Sequence, residues 1–242
     1  AAREASELIR TYKLPRDVVP TQFLNSPKVW KALLENMPMT AMIRNLATMT
    51  RVGLIGPGSD AAKAVKNRLT NQDILKKARI HPIAVLSALN TYAQGRGVRG
   101  TKSWMPVQSV VNALDKAFYL AFKNVEPTGK RWVLGMDVSG SMGCGMIAGV
   151  PGLTPMIGAA AMAMITAKTE KNHEIIAFSH KIVPVDISRK KHLNDVIRAF
   201  SMPFGATDCA LPMVWAMKNR VKADVFVVYT DSETWCGNIH PI

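Results

Sequence analysis

Acidic residues are scarce in this chain. Seventeen Asp and Glu stand against 31 Lys and Arg over 242 residues, a formal charge of +14 at pH 7 and a sequence pI near 9.9. Cysteine is scarcer still. Cys144, Cys209 and Cys236 are too few and too unevenly spaced for a disulfide scaffold, which favours a reducing compartment: the cytoplasm, with the nucleus as a second location. Long apolar runs are missing as well. The longest, Met156 to Ala167, is interrupted by Gly158 and Thr166 and falls short of the roughly 18 residues of a membrane span, so no membrane is expected as a partner. The chain opens at Ala1 on a polar stretch, and the expectation is that it carries no signal peptide. Five scattered histidines pair with no serine or cysteine, and Gly129-Lys130 lacks the flanking residues of a Walker A loop. Nothing here indicates an enzyme.

What is present is an ordinary core-forming composition, 48% hydrophobic and 20% charged, with its charge unevenly placed. Residues 1–130 hold 20 Lys and Arg against eight Asp and Glu, a surplus of twelve, whereas residues 131–242 hold eleven against nine. A polyanion partner is therefore expected for the first half, nucleic acid or an anionic membrane, of which nucleic acid is the one carried forward.

The first half, 1–125, reads as a series of short helices. Ser26-Pro27 supplies an N-cap and a first-turn proline ahead of Val29, Trp30, Leu33 and Leu34 at helical spacing. Met42, Ile43 and Leu46 mark the next helix, Ala62, Val65 and Leu69 another after Ser59, and Ile74, Ala78 and Ile80 a fourth. Pro82 opens a fifth, and Val110 to Phe122 form a clear amphipathic helix. Short helices with short connections suit an α-solenoid of stacked pairs. Glu126-Pro-Thr-Gly-Lys130 is a turn-rich boundary. Beyond it, in 126–242, strands near 131–137, 174–179, 182–187 and 224–230 alternate with helices near 153–170, 190–200 and 209–219. The expected fold is thus α plus α/β, with a doubly wound, mostly parallel, Rossmann-type sheet. Only 112 residues follow Lys130, with about four strands, so the sheet is expected to be truncated for a domain of this type.

Asp137-Val-Ser139-Gly-Ser141 ends the apolar run Trp132–Met136, Thr207 lies in Gly-Ala-Thr-Asp, and Asp231 ends Val-Val-Tyr-Thr-Asp. Two carboxylates and three hydroxyls form an oxygen-only set that suits a hard cation, Mg²⁺ first, rather than Zn²⁺. Two charges leave a dication undercompensated and a coordination position open to water or a partner's carboxylate. All three cysteines lie beside these loops, but their spacing matches no zinc pattern. The residues resemble the metal-ion-dependent adhesion site (MIDAS) of von Willebrand factor type A domains: Asp137, Ser139 and Ser141 match the first loop, Thr207 the second and Asp231 the third.

A basic helical array running into such a domain is similar to the TROVE-plus-A-domain architecture of the Ro ribonucleoprotein autoantigen family. The resemblance rests on Leu24-Asn-Ser-x-x-Val-Trp-Lys-Ala-Leu-Leu34, Lys76-Lys-Ala-Arg-Ile-His-Pro82 and Gly205-Ala-Thr-Asp-Cys-Ala-Leu-Pro212. It implies HEAT-like repeats in a ring closed by the A domain. The ligands it implies are small noncoding Y RNAs and misfolded noncoding RNAs, handled in RNA quality control without catalysis. From the residues themselves, Lys76, Lys77, Arg79, Arg96, Arg99 and Lys102 surround the glycine-rich turn Gly95–Gly100 and offer phosphate contacts, with Trp104 near enough to stack on a base. A solvated basic face and a core tryptophan explain the same residues. A metal-dependent protein-interaction module without RNA binding, bridging its cation to an acidic partner residue, is the alternative function.

Overall fold

The computed structural model describes residues 1–97, 101–185, 187, 191–200, 205–231, 234 and 236–239. The chain divides into two compact units, Ala1–Asn124 and Val125–Ile242.

The first unit is helical: α1 (Ala2–Tyr12), α2 (Pro27–Asn36), α3 (Met39–Arg51), α4 (Asp60–Leu69), α5 (Gln72–Lys77), α6 (Pro82–Ala93) and α7 (Gln108–Leu120), closed by a 3-10 turn, Ala121–Asn124. Apolar side chains at three- and four-residue spacing form the buried face of each. In α2 these are Val29, Trp30, Leu33 and Leu34, and the Trp30 indole N–H is satisfied by the Leu24 carbonyl at 2.8 Å, which lets the ring sit fully inside. Helix α1 packs on α2, α3 on α6, and α7 on both α4 and α6. The Ser59 hydroxyl accepts the Ala62 N–H at the start of α4, and Asn71 accepts from Asp73 and Ile74 at the start of α5. Ser26 occupies the N-cap of α2 without a side-chain bond, leaving Pro27 as the start signal. Helix α1 is absent from the sequence expectations because it buries only Ser6 and Ile9 while exposing Leu8 and Tyr12. Helix α5 stops sooner than its apolar spacing indicates, since Arg79 turns into the left-handed region at φ 50°. Among the described residues Lys13, Arg79 and Arg220 are the non-glycines with positive φ. Each follows a helix end, where a cation complements the carbonyl terminus.

The second unit runs β1 (Trp132–Asp137), a 3-10 turn (Gly140–Gly143), α8 (Pro155–Thr169), β2 (His173–Phe178), β3 (Ile182–Val183), α9 (Leu193–Phe200), α10 (Leu211–Lys218) and β4 (Val225–Tyr229). The sheet order is β3-β2-β1-β4. Strand β1 pairs in parallel with β2 and β4, and β3 is antiparallel to β2. The sheet is therefore mixed and mostly parallel. Val133, Leu134 and Met136 are fully buried, which is why β1 reads as a continuous apolar run. Gly135 makes room for α10: a Cβ there would stand 2.8 Å from the Pro212 ring. Strand β3 has two residues where the sequence indicates six. Pro184 follows directly and has no N–H to continue a ladder, and residues 186 and 188–190 lie outside the described set. Strand β4 is an edge among the described residues, with all five of its positions partly exposed.

The turn-rich segment 126–130 is pinned within the second unit. The Glu170 carboxylate, 4% exposed, accepts the Thr128 N–H and hydroxyl and the Gly129 N–H at 2.7–3.1 Å. Burial works against its charge, yet these hydrogen bonds prevail and hold its carboxyl below the usual range.

Candidate metal centre and nucleic-acid interface

The chain leaves β1 for β2 and β3 on one side, then returns to β4 on the other. The order in which strands are added therefore reverses at β1, with β1 and β4 still parallel, and open α/β sheets bind ligands beyond the carboxyl ends of their strands at such a switch point. Asp137 ends β1 there, and Thr230 and Asp231 follow β4. Since Met136 pairs with Tyr229, Asp137 and Thr230 occupy the next rung.

Asp137 is 1% exposed. Its Oδ1 accepts the Ser139 N–H at 2.8 Å and its Oδ2 accepts the Thr230 hydroxyl at 2.8 Å. The Ser139 and Ser141 hydroxyls lie 3.1 Å apart. The structure thus joins Asp137, Ser139 and Ser141 in one hydrogen-bonded cluster. Thr207 is buried at 2% exposure on the neighbouring loop. That loop is held by the Asp208 N–H donating to the Ser179 carbonyl beyond β2, and by the Thr234 hydroxyl and Cys236 N–H donating to the Thr207 carbonyl. No direct bond joins Thr207 or Asp231 to Asp137 among the described contacts. The sequence reading missed Thr230, Ser179 and Thr234. Their only local signal is that each stands within three residues of a strand end or a candidate ligand.

The donor chemistry fits a hard dication. A buried carboxylate has hydroxyl and N–H partners but no Lys or Arg ion partner among the described residues, and the candidate ligand side chains offer only oxygens, with the Cys209 sulfur nearby at Thr230. The thiols offer less. Among the described residues no three His, Cys, Asp or Glu side chains converge. Burial, ahead of the Asp137 and Asp208 charges, pushes the Cys209 thiol up, disfavouring the thiolate that metals require.

The basic candidates fall in two groups. Lys76, Lys77 and Arg79 are exposed at the end of α5. Arg96 and Lys102 are exposed on a turn closed by the Arg96–Ser103 bridge and by the Gly97 N–H donating to the Lys102 carbonyl. None of the five joins an ion pair among the described residues. Arg99 lies outside the described residues. Two packing contacts define this turn. Gly95 is needed for packing, because a Cβ would come within 2.9 Å of the Trp104 carbonyl. Trp104 itself stacks on Tyr92 and donates its indole N–H to the Tyr92 carbonyl at 2.9 Å. Of the two readings of Trp104, this packing on the helical unit favours the core one, with the ring half-buried.

Residues 131–242 match the family model of the Ro60 von Willebrand factor A domain, and residues 12–91 match the TROVE domain. The chain belongs to the Ro60 family. Over 239 residues it is 46% identical to RNA-binding protein RO60 of Deinococcus radiodurans, covering 98% of this chain and 45% of that protein. Over 237 residues it is 43% identical to RNA-binding protein RO60 of Caenorhabditis elegans, covering 96% of this chain and 36% of the relative. The crystal structure of the Deinococcus radiodurans RO (RSR) protein superposes with a TM-score of 0.92 at 44% identity, over 99% of this chain and 49% of that one. The chain thus spans less than half the length of these curated Ro60 relatives.

Proposed function

We propose that this chain is an RNA-binding part of a Ro60-type ribonucleoprotein. Its ligands are Y RNAs and the single-stranded ends of misfolded noncoding RNAs, and its role is quality control without catalysis, in the cytoplasm. The observation that carries this is the match over nearly the whole chain to proteins named for RNA binding. The exposed basic residues without ion partners, Lys76, Lys77, Arg79, Arg96 and Lys102, supply the charge that a phosphate backbone needs. The test is direct binding of a Y RNA and of a tailed, misfolded small RNA to the purified chain. Binding that a chelator leaves intact supports the reading, and no binding to either RNA ends it.

A second activity belongs to the A unit. Asp137, Ser139, Ser141, Thr207 and Asp231 would hold a divalent cation, Mg²⁺ foremost, which would supply a positive centre for a partner's carboxylate. The buried carboxylate without a cationic partner favours this reading. A protein-interaction module working only through that centre predicts partner capture lost to chelator and indifferent to nuclease. RNA binding predicts the reverse.

A further inference from the structure

A cavity of about 610 Å³ in the helical unit lies among the end of α1, the turn after it, and helices α2 and α3. Its floor is apolar: Ile9, Leu33 and Met37 are 3%, 4% and 6% exposed, and Ala41 adds a methyl from α3. Its rim carries Lys13, Arg16 and Arg44. The Asp17 carboxylate is also there and pairs with Arg16 at 3.2 Å. Lys13 and Arg44 join no ion pair among the described residues. Lys13 is placed at the mouth by a left-handed turn, φ 51°, a conformation that residues with a Cβ rarely adopt.

An apolar slot of this size bordered by separate cations matches a ligand with a flat, weakly polar body and flanking negative charges. Ligand cavities of roughly 300–1,000 Å³ take bodies of that kind. The Asn36 amide on the same rim has no hydrogen bond among the described contacts and offers both a donor and an acceptor to a base edge. We propose that this cavity receives one unpaired nucleotide of single-stranded RNA, its base on the Ile9–Leu33–Met37 floor and its flanking phosphates on Lys13, Arg16 and Arg44. The site rests on the RNA-binding reading above and adds a place of recognition separate from the α5 cluster. Duplex RNA is excluded from it, because a paired base cannot leave its stack without cost.

The experiment uses the whole 242-residue chain and a fluorescein-labelled single-stranded oligouridylate. A second copy of the oligonucleotide carries one central abasic residue. The variants are Lys13→Glu with Arg44→Glu, Ala41→Phe to fill the slot, and Lys76→Glu with Lys77→Glu and Arg79→Glu as the comparison. Melting temperatures establish that each is folded. If Ala41→Phe is not, Asn36→Trp covers the mouth from an exposed position. The expected result is that the Lys13/Arg44 variant loses about tenfold or more in affinity, its log–log salt slope shallower by about 1.4, from about 0.7 per single-strand phosphate contact. The slot-filling variant should lose affinity with its slope unchanged, and the abasic strand should bind wild type more weakly than the intact one.

Wild-type affinity and slope in the Lys13/Arg44 variant, alongside a loss in the α5 variant, would overturn the cavity site while leaving RNA binding in place. A reduced slope with unaffected binding by the slot-filling variant, or equal binding of the abasic strand, would show phosphate contact alone and also overturn it. If polyglutamate binds as tightly as the RNA and is lost in the same variants, the cavity is a peptide site and the nucleotide assignment fails. A wild-type chain that binds no RNA ends both readings together.

Discussion

The Thr230 hydroxyl donates to Oδ2 of Asp137 across 2.8 Å, bridging the ends of two parallel strands. It stabilises a buried carboxylate and sets which oxygen faces the Ser139 N–H. Thr230→Val keeps the shape and removes the donor. Loss of a hydrogen bond to a buried charged group costs about 1.5–3 kcal/mol, read as a lower denaturant midpoint at unchanged slope. An unaltered midpoint would show that the bond contributes nothing.

Asp137→Ala would leave both the Ser139 N–H and the Thr230 hydroxyl without their partner, mixing a folding defect with any loss of ligand. Asp137→Asn preserves the volume and removes the charge. Calorimetric titration with Mg²⁺ and with Mn²⁺ is expected to show binding to wild type and none to the Asn variant, with RNA affinity equal in both. Equal cation affinity in the two forms would refute the metal assignment.

Reversal of Lys76, Lys77 and Arg79 to glutamate is expected to weaken single-stranded RNA binding similarly across sequences. If all three contact phosphates, the salt slope falls by about 2, at about 0.7 per contact. These side chains are exposed at a helix end, so the melting temperature should hold. A folded variant with the wild-type slope removes the α5 cluster from the interface.

Glu170 gives the fold a pH dependence with a defined sign. Burial opposes its charge, but bonds from Thr128 and Gly129 prevail, and its carboxyl is lowered from the ordinary 4.5. A depressed carboxyl contributes stability that is complete above the unfolded value and lost as pH falls through the folded one. Stability should therefore decline below about pH 4.5 more steeply in wild type than in Glu170→Gln. Parallel acid-unfolding curves for the two would remove Glu170 as a cause.

Much of this architecture is legible in the chain because it is written locally. Trp30, Leu33 and Leu34 stand at helical spacing, and Val133, Leu134 and Met136 announce a strand buried on both faces. The Asp137-x-Ser139-x-Ser141 cluster is legible for the same reason. Thr230 is not, because its role depends on the β1–β4 register, which places it opposite a residue 93 positions away. Gly95 is not legible either: its role in making room for the tryptophan segment depends on where Trp104 packs, and Trp104 lies on Tyr92 as its core reading expects. Lys13, Arg16 and Arg44 form no run, and only the packing of α1 to α3 gathers them around one cavity.

The seam between β1 and β4 also bears on the order of assembly. Strand β1 is followed by 87 residues before β4 begins, so the rung carrying Asp137 and Thr230 closes only after that long loop has been brought together, an entropic cost incurred before its contacts form. A nascent chain that has made β1, α8 and β2 has the first loop's oxygens but not the strand that completes their surroundings. The rung at this seam needs both strands, so a ligand that required both sides would distinguish a finished domain from an unfinished one.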